Sequence, residues 1–268
     1  MSTNRREFIR GSAVAIVAAM HGTELMSGKK VHAAELPPNG PVMLKKLRLR
    51  SNDLDGQEEF YRDVLGLPVA RPSNDRLIVT TGISEIEFVP DPESANPFYH
   101  FAFTIPENLL EESLEWTTSR TDVLDVTPRG AKIRHFQNWN AHSIFFLDPV
   151  GNILEFIAHH DLKNGTDKPF GPDQILFTSE IGLVVPDVPK VAESIEKQFG
   201  HTPFRGLSSK GFTAMGDMSG LVLVVKEGRG WIPLSVKSQV FLTEVTLGHG
   251  LKKKKYTPKG LPYSVQFE

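Results

Sequence analysis

Two stretches of this chain repeat one pattern at equal spacing. Leu47 and Leu49 alternate with Lys46, Arg48 and Arg50, and a stripe of Phe60, Tyr61, Val64 and Leu65 follows, stopped by Gly66. Later, Ile181, Leu183 and Val185 alternate with Glu180, Gly182 and Val184, and Val188, Val191, Ile195 and Phe199 form a stripe stopped by Gly200. Asp53 to Gly66 is thirteen steps, as is Asp187 to Gly200, so Lys46 aligns with Glu180, Leu47 with Ile181 and Leu49 with Leu183. Period two marks a half-buried strand, and the helical stripe marks an amphipathic helix. Such self-similarity means two copies of one strand–helix–strands unit. Further strand-like runs at 76–81, 85–90, 99–105, 131–136 and 142–158, with a helical run over 107–119, place the chain in the α+β class.

The first residues read as a targeting segment and stand outside the fold argument. Arg5-Arg6 is a twin-arginine pair, followed by the apolar run Ala13 to Met20 and a small-residue site at Val31-His32-Ala33-Ala34. That apolar run is well short of the ~20 residues needed to span a bilayer. The expectation is a twin-arginine signal peptide over 1–34, export by that route, and a periplasmic or otherwise extracytoplasmic mature protein. No later stretch has the length and apolarity of a transmembrane helix.

Turn-rich linkers at 35–42 and 162–177 bound two domains, 43–161 and 178–268. Removing 1–34 takes away five bases and two acids and leaves the mature chain at a formal −5. That argues against nucleic acid as partner, since phosphate binding needs concentrated positive charge. Lys252 to Lys255 is the single basic run and reads as a solvated segment. The chain has no cysteine, so thiolate catalysis and thiolate ligation are excluded and any metal falls to His, Asp or Glu.

One strand stands apart. In Tyr99 to Ile105, Phe101, Phe103 and Ile105 share one face, while His100, Ala102 and Thr104 share the other, as suits a cavity wall. Asn140 to Phe156 reads as two strands joined by the turn Asp148-Pro149-Val150-Gly151-Asn152, with Glu155 inside the apolar run Ile153 to Ala158. A carboxylate there is costly to bury unless a cation or donor meets it. His100 with a divalent ion is one such partner. His159 and His160, at the strand end, read as solvated, and Trp116, Trp139 and Trp231 as core or rim packing. Lys46, Arg48 and Arg50 share a face that reads either as a surface charge cluster or as the seat of an anionic substrate.

The helix Glu58 to Leu67, the strand Tyr99 to Phe103 and the Asp148–Glu155 turn resemble the vicinal oxygen chelate superfamily, which includes glyoxalase I, extradiol dioxygenases and bleomycin-resistance proteins. Residues 43–161 carry the resemblance strongly, and 178–268 more weakly through Glu180–Gly200. It implies two βαβββ modules in pseudo-twofold arrangement forming a cup-shaped mixed sheet. It also implies a divalent ion (Fe2+, Mn2+, Zn2+ or Ni2+) held by a His, a second His and a Glu. His100 and Glu155 match two of these positions, but Lys46 stands at the third. Phe145 stands where the dioxygenase pattern has Tyr. Two schemes follow. In one, His100, Glu155 and His142 hold the ion beside Lys46, Arg48, Glu180 and Glu244 as substrate-binding groups, and the protein is a dioxygenase- or glyoxalase-like enzyme. In the other, Lys46 pairs with Glu155 in place of a metal, and the protein sequesters a small molecule. A structural dimer module, and so a homodimer, is a third reading. The sequence assigns no residue a catalytic role.

Overall fold

The computed structural model describes residues 41–93, 96–248 and 253–268. The expected signal peptide, most of the first linker and Lys252 lie outside them. The first unit runs β1 (Met43–Ser51), α1 (Leu54–Glu59), β2 (Val69–Ser73), β3 (Arg76–Thr81) and β4 (Ser84–Pro90). The second runs β5 (His100–Thr104), α2 (Leu110–Thr118), β6 (Arg134–Phe136), β7 (Ala141–Leu147) and β8 (Ile153–His159). The third runs β9 (Phe177–Val185), α3 (Val188–Phe199), β10 (Pro203–Ser208), β11 (Phe212–Asp217) and β12 (Gly220–Lys226). A shorter fourth piece contributes β13 (Thr243–Gly248), β14 (Lys254–Tyr256) and β15 (Tyr263–Phe267).

The repeated Asp-to-Gly spacing has a local cause. Asp53 accepts a hydrogen bond from Gly56 N and Asp187 from Lys190 N, each answering a free donor at a helix start. Gly66 and Gly200 lie at φ +65° and +75°, the left-handed turn that ends a helix. Between them the apolar stripe is buried. Leu47, Leu49, Leu77, Val79, Ile86 and Phe88 form one fully buried sheet face, and Tyr61 and Leu65 cover it. Each such side chain contributes about 1.5–3 kcal/mol by leaving water.

The architecture is the expected α+β cup with mixed sheets, assembled across the two halves of the chain. One sheet has the order β14-β15-β13-β1-β4-β3-β2, and the other β10-β11-β12-β9-β5-β8-β7-β6. In every unit the first strand lies parallel beside the last: β1 with β4, β5 with β8, β9 with β12 and β13 with β15. First strands then meet antiparallel, β1 with β13 and β5 with β9. Each sheet thus takes one piece from each half of the chain, and there are two cups. No helix among the described residues is long and apolar enough to cross a membrane.

Candidate metal centre

The floor of one cup is set by β8, β5 and β9 lying side by side. Ala102 stands opposite Glu155 on one flank and Glu180 on the other. Strand alternation sends Phe101, Phe103, Leu154, Phe156 and Ile181 to the main core. It leaves His100, Glu155 and Glu180 on the cup face, all buried, each offering a ligand atom within 4.8 Å of the other two. Donors about 2.0–2.2 Å from one ion stand roughly 3–3.5 Å from one another, so the three side chains can hold a divalent cation by closing in on it.

The protonation geometry points the same way. His100 Nδ1 lies 3.0 Å from the Ile153 carbonyl oxygen. A carbonyl only accepts, so Nδ1 carries the proton and donates it. Nε2 then faces Glu155 Oε2 at 3.4 Å. Two lone pairs at that distance repel unless a proton shared between the two groups, or a cation, lies between them. Tying one ring nitrogen to a carbonyl while freeing the other is how ligating histidines are oriented. Burial, and then the neighbouring Glu155, push the Glu180 carboxyl well above its ordinary range. Its Oε1 is buried without a hydrogen-bond partner among the described residues. Such a group is expensive unless a cation meets it.

The cavity above this floor, about 160 Å3, is walled by Phe136, Trp139, Phe145, Phe212 and Trp231, and Arg229 also lines it. An outer groove of about 420 Å3 shares Phe136, Trp139 and Phe212 with it. Trp231 sits on the loop between β12 and β13, held there by Trp231 N donating to Val236 O and Ser238 N to Arg229 O. Its ring lies 5.2 Å from that of His100. Below it is Gly182, where an added Cβ would lie 2.5 Å from the Trp231 ring. Gly182→Ala should therefore lift the indole, cost about 1–3 kcal/mol by overpacking and shift tryptophan emission. An unaltered spectrum would mean that the ring does not rest on this strand.

Several expected positions fall elsewhere. His142 is not part of the group. The β7–β8 register pairs it with Ala158 and pairs Phe145 with Glu155, so alternation puts His142 on the other sheet face. There it stacks on His135 at 4.2 Å, and its Nδ1 lies 2.7 Å from His160 Nε2. His159, expected at the surface, is fully buried, with Nε2 4.0 Å from Glu180 Oε1, and burial pushes its pKa down to about 4. Trp139 and Trp231 are cavity walls as well as packing. Glu180, expected among the substrate-binding groups, is one of the three convergent donors.

Lys46, Arg48 and Glu244 lie in the second cup. There Arg48 stands opposite Glu87 and Glu244, as Ala102 stands opposite Glu155 and Glu180 in the first. Two residues earlier on the first strand, Lys46 corresponds to His100. The expected Lys46–Glu155 pair is therefore not made. Lys46 Nζ lies 2.5 Å from Glu87 Oε2, because β1 pairs with β4 while β8 belongs to the other sheet. Arg76 Nε adds a bond to Glu87 at 2.7 Å. Burial tends to raise the Glu87 carboxyl, but its bonds to Arg76 and Lys46 outweigh this and hold it below its ordinary value. The second cup, about 450 Å3, thus carries its own cations. Lys46→Ala should lower stability by about 1 kcal/mol, since Arg76 remains and the site is partly exposed, without altering metal binding at the first cup. A change in metal affinity would contradict this separation.

No family model matches this sequence, and no curated protein matches it. Solved structures do. The chain is similar to a putative dioxygenase from Bacillus subtilis subsp. subtilis str. 168, at 12% identity over 84% of each chain, with a TM-score of 0.52. It is also similar to a point mutant of glyoxalase I from Zea mays, at 13% identity over 84% of this chain and 93% of that one, with a TM-score of 0.50. At such identities these similarities show the fold alone, a cup also found in a glyoxalase and a putative dioxygenase, and leave activity to the site.

Proposed function

We propose that this chain, built on the vicinal oxygen chelate fold, is an exported, divalent-metal-dependent enzyme of the dioxygenase or glyoxalase type. Its substrate is a small molecule with two neighbouring oxygens. The observation that carries the reading is the convergence of the His100 Nε2 lone pair with the Glu155 and Glu180 carboxylates in a buried, aromatic-walled cavity. One imidazole with two carboxylates is richer in oxygen than the expected two-His, one-carboxylate set, and favours Mn2+ or Fe2+ among the four candidate ions. When bound, such an ion acts as a Lewis acid or supports ferrous oxygen chemistry.

The chain's own residues supply the rest. Ile153 O orients His100, the aromatic walls exclude water, and Trp231 limits the height of whatever lies over the floor. The twin-arginine motif supports export, and because that route carries folded proteins, it suits a chain loaded with its ion beforehand. The test is assay of protein loaded anaerobically with Mn2+ or Fe2+, following oxygen uptake with catechols and isomerisation of hemithioacetals. Turnover of either class that disappears in Glu155→Ala supports the proposal. A metal-loaded protein inactive on both classes would remove the enzyme reading.

A further inference from the structure

We infer that the ligand of the metal cup carries a carboxylate group and that Arg229 reads it. This rests on the proposed small-molecule site and names the class of molecule that the site takes. Arg229 lines the same cavity as His100, Glu155 and Glu180. Its guanidinium carbon lies 5.2 Å from the Phe212 ring centroid, and its one side-chain hydrogen bond among the described residues, Nη1 to Gly230 O, is long at 3.5 Å. Among the described residues no carboxylate is within ion-pair distance of it. Arg48, Arg71 and Arg76, by contrast, each meet a glutamate. A guanidinium carries five donors in a planar fork matched to a carboxylate. Here, among the described residues, only Nη1 has a partner, and burial pushes the group's pKa below its usual value.

Charge counting agrees. A divalent ion cancels Glu155 and Glu180, leaving the Arg229 charge for a monoanion to match. The backbone around Arg229 is also fixed, because Arg229 O accepts from Ser238 N at 2.8 Å and Gly228 N donates to Ser238 O at 2.9 Å. The five aromatic walls suit a flat, unsaturated body between the carboxylate and the ion. The geometry thus fits a small planar acid, held by Arg229 at one end and facing the three metal-ligand side chains with its oxygen pair.

Benzoate and its neutral counterpart benzamide separate the contributions, with Trp139 and Trp231 as fluorescent reporters in the wall. Titrations are run on wild type, Arg229→Gln and Arg229→Lys, with and without Mn2+, and bound Mn2+ is measured in parallel. Wild type should bind benzoate about tenfold or more tightly than benzamide. Arg229→Gln should lose about that factor for benzoate alone, and Arg229→Lys should recover part of it. Equal binding of the two probes, no saturable benzoate binding, or benzoate binding indifferent to Arg229→Gln would overturn the inference; the last would place the carboxylate on the ion. Arg229-dependent benzoate binding by protein that holds no Mn2+ would sink the metal reading and keep this one. Bound Mn2+ with no effect of Arg229→Gln would do the reverse.

Discussion

Replacing Glu155 with alanine is expected to weaken Mn2+ binding by at least about 100-fold, because even partners one bond beyond the ligands typically cost 10–100-fold. His100→Ala and Glu180→Ala should each do the same, since each supplies one of three donors within 4.8 Å of one another. His142→Ala, on the far face of β7, should bind like wild type. Competition against a fluorescent chelator reads all four. Removing Glu155 also relieves the like charge facing Glu180, so the variant should fold at least as well as wild type without metal. A loss of affinity can then be assigned to the lost ligand. Wild-type affinity in Glu155→Ala would show that these side chains converge for another reason.

The largest stability effect is expected at Asp148. This buried carboxylate accepts from Gln57 Nε2 at 2.9 Å, Tyr61 OH at 3.0 Å and Asn152 Nδ2 at 2.7 Å, and from the backbone of Val150 and Asn152. It ties the β7–β8 turn to α1 and the helical turn that continues it, across 87–91 residues of chain. Burial raises its carboxyl above the ordinary range despite these donors. Asp148→Ala would leave five donors without their acceptor and should cost about 3–5 kcal/mol, since each buried donor left unanswered costs about 1–3 kcal/mol and some of them can find other partners. For a chain of this size that lowers Tm by roughly 10 °C. Urea denaturation checks it, and a loss under about 1 kcal/mol would mean that water replaces the carboxylate.

How much of this could be read in advance follows from how local each cause is. The Asp-to-Gly helix spans and the buried alternation of Leu47 and Leu49 depend on neighbours in sequence, and they were legible. Glu155 was legible as a carboxylate in need of a partner, because an isolated charge in an apolar strand is physically anomalous. Glu180 sits in Phe177–Val185, where every residue is buried. The same anomaly marks it as a ligand candidate, although it aligns with Lys46, whose ammonium is no metal ligand. The exclusion of His142 was also available: a hairpin turning at Asp148–Asn152 pairs Phe145 with Glu155, leaving His142 on the opposite face. What alternation cannot supply is which first strands meet. The pairing of β1 with β13 and β5 with β9 joins residues far apart in the chain. That pairing alone sends Lys46 to one cup and His100 to the other. Arg229, on a loop with no periodic pattern, carried no local signal.

The most direct test is anomalous diffraction at the manganese edge from crystals of the protein grown with Mn2+. The account predicts one peak per chain, bounded by His100 Nε2 and carboxylate oxygens of Glu155 and Glu180, beneath the Trp231 ring. A peak between Glu87 and Glu244 in the lysine-bearing cup, or none in either cup, would contradict it.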